Sequence, residues 1–219
     1  NTQNEKNEID LGKENFQTQA RKLRYHFYRQ IACKYNVDKV VLAHHQDDVI
    51  ENIVMQLQRH NTKGYLGIKN ISEVFGVTVI RPLLGVNKQV LREYCHDHNV
   101  NYRDDYTNFQ TDFTRDFVRN VTLKNYTEQQ VKDLLNKADL HNQQYLKNIE
   151  RVKPYLDKYH DDKVIDYRLI PYDLLNSFIY EIVKEVVYPP LISDALIKEI
   201  IKQIKSGKPN IEMDLPVNI

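Results

Sequence analysis

The stretch Lys39-Val40-Val41-Leu42-Ala43-His44-His45-Gln46-Asp47-Asp48-Val49-Ile50-Glu51 decides the fold. Its first five residues form a short, β-branched apolar run, which reads as a buried strand. Polar residues 44–48 follow at once. Apolar residues then return at Val49, Ile50, Ile53, Val54 and Leu57, the three- and four-residue steps of a helix. A strand that passes directly into a helix is half of a β-α-β unit, and the sequence on either side continues the pattern. Upstream, Phe16, Ala20, Leu23, Phe27 and Ile31 set an apolar stripe for a helix over about residues 14–35. Downstream, residues 62–72 hold two glycines and read as a loop, and residues 77–83 read as a second strand. Asn87 is placed to cap a helix reaching about residue 98. Strands alternating with helices predict an α/β fold built on a partial parallel sheet.

Periodicity breaks down over residues 101–120, a polar and aromatic loop. It resumes past Thr127, which forms a capping box with Gln130 ahead of Val131, Leu134, Leu135 and Ala138. Two further helices are expected over residues 171–187 and 191–204, parted by Pro189-Pro190. The expected organisation is an α/β domain at 1–125, an all-helical domain at 126–209, and the start of a cut-off segment at 210–219. Because the sequence opens on Asn1 with a linker-like stretch, a fragment of a longer protein is expected.

Composition excludes several classes. The 219 residues are 41% hydrophobic and 28% charged, enough apolar material for a core and unlike a disordered chain. The longest apolar runs are far too short to span a bilayer, and no signal-peptide pattern opens the chain. Two cysteines, Cys33 and Cys95, make neither a disulfide framework nor a four-cysteine metal site, so a cytoplasmic location is expected. A net charge of +1 argues against a globally basic nucleic-acid binder but permits a local basic patch.

Three constellations could carry chemistry. His44, His45, Asp47, Asp48 and Glu51 follow a strand, at the sheet edge where open α/β folds bind ligands. Asp48 and Glu51 are spaced to share one helical face, where they could hold a cation or an ammonium group. Spacing alone equally allows carboxylates that only complement the helix dipole. Read that way, Glu51 is a surface carboxylate of small weight for stability. Arg21 and Arg24 lie three apart and off the apolar stripe, suited to phosphate or simply to solvent. The loop residues Asp105, Thr107, Asn108, Asp112, Arg115 and Arg119 could order irregular backbone or reach nucleic-acid phosphates. No glycine-rich phosphate loop, GxSxG, CxxC or HExxH pattern occurs.

In order along the chain, Ala20-Arg21-Lys22-Leu23-Arg24-Tyr25, His44 through Glu51, Arg81-Pro82-Leu83-Leu84 and the loop from Asp105 to Arg119 resemble the tRNA(Ile)-lysidine synthetases of the N-type ATP pyrophosphatase (PP-loop) group. In the loop, Thr107, Gln110 and Asp116 depart from the family's Ser, Asp and Asn. The family's Ser-Gly-Gly-x-Asp-Ser loop has no counterpart in these 219 residues, so this polypeptide alone is expected not to adenylate a substrate. The resemblance implies a Rossmann-like, adenine nucleotide alpha hydrolase-like sheet. It also implies a ligase using ATP and Mg²⁺ that joins lysine to C2 of the wobble cytidine in a tRNA(Ile) with a CAU anticodon, through an adenylated intermediate. By that resemblance Arg21 and Arg24 would bind nucleotide phosphate. Asp48 and Glu51, with His45 in a lesser role, would hold and deprotonate lysine. Arg115, Arg119 and Asn108 would support the site or touch tRNA. No protein metal ligand is expected, and a homodimer is left open. The alternatives are a related tRNA thiolation enzyme, a non-catalytic tRNA-binding remnant and, more remotely, a metal-dependent hydrolase.

Overall fold

The computed structural model describes residues 16–103, 117–162, 164–187 and 192–207. The first half is an α/β unit made of α1 (Phe16–Lys34), β1 (Lys39–Val41), α2 (Gln46–Gln58), β2 (Ile71–Val74), β3 (Val77–Ile80) and α3 (Lys88–Asp97). A π-helical turn (Val118–Thr122) and a 3-10 turn (Leu123–Asn125) then lead into the long α4 (Glu128–Asp162). After two 3-10 turns, Tyr167–Leu169 and Tyr172–Leu174, come α5 (Leu175–Val186) and α6 (Asp194–Lys205).

The sheet order is β1-β3-β2. The expected parallel pair exists, with Val40 opposite Val79, and the backbone N–H of Leu42 extends it by donating to the Ile80 carbonyl. The third strand departs from expectation: Ile71–Val74, whose first two residues were read as loop, pairs antiparallel with β3. The sheet is therefore mixed, and β3 ends at Ile80 rather than at residue 83. The β2–β3 hairpin turns through Phe75 and Gly76 at φ +49° and +74°, the positive pair a type I′ turn requires.

Helix α1 also departs from its stripe. Tyr25 and Ala32 are buried, and Tyr25 packs with Tyr28 on Val77 and Val79. Leu23, Phe27 and Ile31 face outward. The sheet takes the face of the helix that carries Tyr25 and Tyr28, not its apolar stripe.

Two caps form as the sequence requires. Asn87 accepts a hydrogen bond from the Val90 N–H at the start of α3. Before α4, Thr127 and Gln130 bond reciprocally, at 2.8 and 3.2 Å. The region expected as one helix from residue 171 begins instead as the 3-10 turn Tyr172–Leu174 before α5. The main apolar core lies here, with Phe178, Leu174, Val152, Ile192 and Ile197 almost wholly enclosed. The segment expected over 210–219 lies outside the described residues.

Residues 65–67 join the two halves. Gln56 of α2 donates to the Tyr65 carbonyl and accepts from the Gly67 N–H, at 3.0 and 2.7 Å. Between these, Asn142 of α4 accepts from the Leu66 N–H and donates to its carbonyl, at 2.7 and 2.9 Å. Ile53, Leu66 and Ala138 fill the apolar side of the seam, with Val49, Leu134 and Leu135 against them. Gly67 sits at φ +82°, and a Cβ there would come within 3.0 Å of Val49 Cγ1, so both backbone shape and space select glycine. At Gly64 the obstacle is Tyr180, whose hydroxyl would lie 2.1 Å from an added Cβ.

Replacing Asn142 by Ala strands the buried N–H and C=O of Leu66, each costing about 1–3 kcal/mol. Urea unfolding should show a loss of about 2–4 kcal/mol; a loss below about 1 kcal/mol would mean that water replaces the amide. A second expectation concerns alkaline pH. Burial, and then the charge of Glu181, raises the Tyr180 pKa from 10.0 to about 12. The folded state thus holds that proton more tightly than the unfolded chain. This stabilisation is complete below pH 10 and is lost as pH rises towards about 12. Tyr180→Phe should make stability fall less steeply over that window than it does in the parent chain.

Candidate active site

The site is built where β1 ends. His45 caps α2 in an extended conformation, φ −125° and ψ −177°. Its backbone N–H donates to Asp48 Oδ2 at 2.9 Å, turning that carboxylate back on the helix start. The His45 Nε2 atom lies 3.5 Å from the same oxygen. Asp47 Oδ1 accepts from the Lys88 N–H at 3.2 Å, and the Gln46 N–H donates to the Val86 carbonyl. The amino ends of α2 and α3 are thereby held side by side.

One turn further along α2, Glu51 is only 1% exposed. Arg119 grips it with both guanidinium edges: Nε donates to Oε1 at 2.5 Å and a terminal nitrogen to Oε2 at 3.0 Å. Fork-to-fork contacts of this kind are the strong, oriented form of the ion pair. Arg119 is presented by the π-helical turn, where the preceding Val118 is fully buried and anchors the backbone. The reading of Glu51 as a surface carboxylate is therefore wrong. It lies under the turn leading to α4, paired with a residue 68 positions away.

Beside the pair opens a cleft of about 640 Å³. One wall is Gln46, Asp47, Ile50 and Glu51 of α2, with Asn87. The other is Lys124, Tyr126 and the start of α4, including Glu128, Lys132 and Asn136, with Arg119 between the walls. Of the candidate site residues read from sequence, Asp47, Glu51 and Arg119 line this space. His45 and Asp48 sit just behind, at the helix cap. Arg21 and Arg24 are exposed on α1 and are not part of the lining, and the Arg21 guanidinium lies 5.0 Å from the Tyr25 ring centre. Arg115 and Asn108 lie outside the described residues, as do Asp105, Thr107, Gln110, Asp112 and Asp116. Tyr126, Lys124, Lys132 and Asn136 were missed because nothing in their local pattern distinguishes a cleft wall from a solvated helix start.

In Arg81-Pro82-Leu83-Leu84, Arg81 is 5% exposed and donates to the Lys69 carbonyl and the Ser72 hydroxyl, at 2.9 and 2.8 Å. It braces the end of β3 against the segment entering β2. Cys33 and Cys95 are both free, on α1 and α3. Among the described residues no three His, Cys, Asp or Glu side chains converge as a cation cage. The nearest carboxylates, Asp47, Asp48 and Glu51, are engaged by a backbone N–H, by the His45 cap and by Arg119. These residues do not fit a protein-held Mg²⁺. Among the described residues no helix is long and apolar enough to cross a membrane.

The site lies where β1, an edge of the described sheet, runs into α2. Residues 1–126 match the PP-loop domain family, and the chain belongs to it. Among curated relatives, a tRNA(Ile)-lysidine synthase of Mycoplasma mycoides is 29% identical over 214 residues, 93% of this chain and 51% of that protein. The one of Bacillus cereus is 31% identical over 92% of this chain and 46% of its own length. The one of Mycoplasma pneumoniae is 41% identical over 112 residues, 51% of this chain and 39% of its length. The chain spans about half, or less, of the length of these relatives.

Glu51→Ala leaves the Arg119 guanidinium without its carboxylate, and breaking one side of a buried pair is costly. With Arg119 partly open to water, we expect a loss of about 2–4 kcal/mol in urea unfolding. The Glu51→Ala/Arg119→Ala double variant should be destabilised by less than the sum of the single ones. Simple additivity would show that the two side chains are not coupled in solution.

Proposed function

We propose that this chain is the part of a tRNA(Ile)-lysidine synthase that receives lysine and holds it for transfer to an ATP-activated wobble cytidine. The observation that carries this reading is the buried Glu51–Arg119 pair beside an open cleft, in a chain of the PP-loop family. The similarity to three curated lysidine synthases supports the choice of reaction. An amino acid carries both charge signs, and a carboxylate and a guanidinium side by side match both. In this reading Glu51 at the cleft and Asp48 behind it at the helix cap together offset the ammonium charge, and Arg119 complements an anionic group.

The chemistry runs in two steps. The cytidine O2 attacks the α-phosphorus of ATP, and pyrophosphate leaves. The lysine side-chain nitrogen then attacks C2, the C2–O bond breaks, and AMP departs. An amine of unperturbed pKa near 10.4 is protonated at neutral pH, so transfer needs a proton acceptor. Asp48, with His45 3.5 Å behind it, takes that role. Glu51 orients the amine, and Arg21 and Arg24 reach nucleotide phosphate. Arg115, Arg119 and Asn108 support the site or contact tRNA. The nucleotide phosphates, not these side chains, would hold Mg²⁺, which would offset their charge. The division into an α/β domain to residue 125 and a helical substrate domain after it belongs to the same reading, as does action in the cytoplasm.

The test uses the complete gene product that carries these 219 residues, with ATP, labelled lysine and a CAU-anticodon tRNA(Ile) transcript. Lysine should enter the tRNA. Glu51→Gln keeps the volume of the side chain and should cut lysine incorporation at least 100-fold while adenylated tRNA accumulates. Normal incorporation by that variant would remove Glu51 from the reaction. No incorporation by the parent protein would remove the reading as a whole.

A further inference from the structure

A second concavity, of about 280 Å³, lies in the helical half, away from Glu51 and Arg119. Three lysines from two distant parts of the chain converge on it. Lys63 comes from the loop after α2, and Lys198 and Lys205 from α6. The two on α6 are seven residues apart, two turns along one helical face, with Ile201 between them. Leu175 and Ile201 give the pocket an apolar floor, Asn176 adds an amide, and no carboxylate lines it. Lys205 Nζ stands 4.2 Å from the centre of the Tyr172 ring, and Tyr172 is 78% exposed.

Its neighbours use lysine and arginine differently. Arg151 pairs with Asp173, the residue after Tyr172, and Lys202 pairs with Glu199 on α6 itself. Among the described residues Lys198 and Lys205 have no carboxylate within ion-pair distance. Lys63 has only Asp194, at 4.0 Å, and that carboxylate also accepts from the Thr62 hydroxyl at 3.1 Å. Three lysines lining one concave surface with no carboxylate among the lining residues give it a positive character. The chain as a whole carries only +1, so this is a local patch and not a consequence of a basic protein.

We propose that the Lys63–Lys198–Lys205 pocket seats the phosphodiester backbone of an RNA, with the exposed face of Tyr172 open to a base. Lysine serves phosphate as a point charge, and ammonium contacts to phosphate position a polynucleotide without reading its sequence. An aromatic ring among the cations adds a stacking surface that any base can use. The proposal rests on the lysine-transfer reading only for the choice of tRNA as the polynucleotide, and it assigns a contact outside the reaction cleft.

The experiment measures binding without ATP or lysine. A fluorescent CAU-anticodon tRNA transcript is titrated with the 219-residue chain at several KCl concentrations, by anisotropy. The K63Q/K198Q/K205Q variant should bind at least tenfold more weakly at low salt. Its slope of log affinity against log salt should be shallower by about two to three, the count for three lost phosphate contacts. The triple Lys→Arg variant should restore both, and matched thermal unfolding of the two variants shows that the fold is kept. Unchanged affinity and slope in the glutamine variant would overturn the proposal. So would displacement of tRNA by inorganic phosphate at concentrations where equal ionic strength of KCl has no effect, which would make this a small-anion site. If the chain binds tRNA through these lysines but the complete gene product transfers no lysine, the catalytic reading falls and this one stands.

Discussion

Two side-chain amides hold this molecule in register. Gln56 on α2 and Asn142 on α4 grip the backbone of residues 65–67 from opposite sides, one bonding the outer peptide groups and the other both groups of Leu66. A loop crossing between two helices would otherwise bury four polar backbone atoms without partners, and each amide supplies one donor and one acceptor. Directional bonds of this kind set a helix pair at one distance and one rotation, which the apolar contacts of Ile53, Leu66 and Ala138 could not do alone. The cleft walls belong to these same two helices, so the cleft's width follows from the splice.

The Glu51–Arg119 pair works within that frame. Desolvating two charges offsets much of their attraction, so such a pair is a weak source of stability. Its value lies in placement. The turn carrying Arg119 must come to rest over α2 for the guanidinium to be satisfied, which fixes the connection between the α/β unit and α4. A few residues further along α4 the same logic appears in His141, whose Nε2 bonds the Gly64 carbonyl at 2.9 Å, and in Tyr145, whose hydroxyl donates to Glu181 at 2.7 Å. Burial, followed by the charge of Glu181 and this bond, lifts the Tyr145 pKa well above its usual range. The Lys69 ammonium lies over the Tyr65 and Tyr145 rings, and burial lowers its pKa.

Local signals in the chain announced the parts that local chemistry determines. The β1–α2 junction, the Asn87 cap and the Thr127–Gln130 box all depend on residues within four positions of one another, and all three form. What stayed hidden depends on distant partners or unusual turn residues. Phe75 occupies a left-handed position that Asn, Asp or Gly normally fill, so the hairpin and with it β2 carried no turn signature. The face that α1 buries was set by what the strands offered, not by its own apolar period. Glu51 looked solvent-facing because its partner lies 68 residues ahead, and a pairing across that separation leaves no periodic trace.

Helix α4 contains 35 residues, so at 1.5 Å per residue it is a rod about 50 Å long. It is held at Asn142, fourteen residues past its start, and carries the helical core beyond. Such a member acts as a lever. A pivot of about 5° at the seam swings a point about 30 Å further along by roughly 2.5 Å, close to half a helical turn. Pro154 lies in the outer part, where it offers no N–H to the helix ladder. The separation between surfaces at the two ends of the rod is thereby a mechanical quantity, set by the angle at the seam.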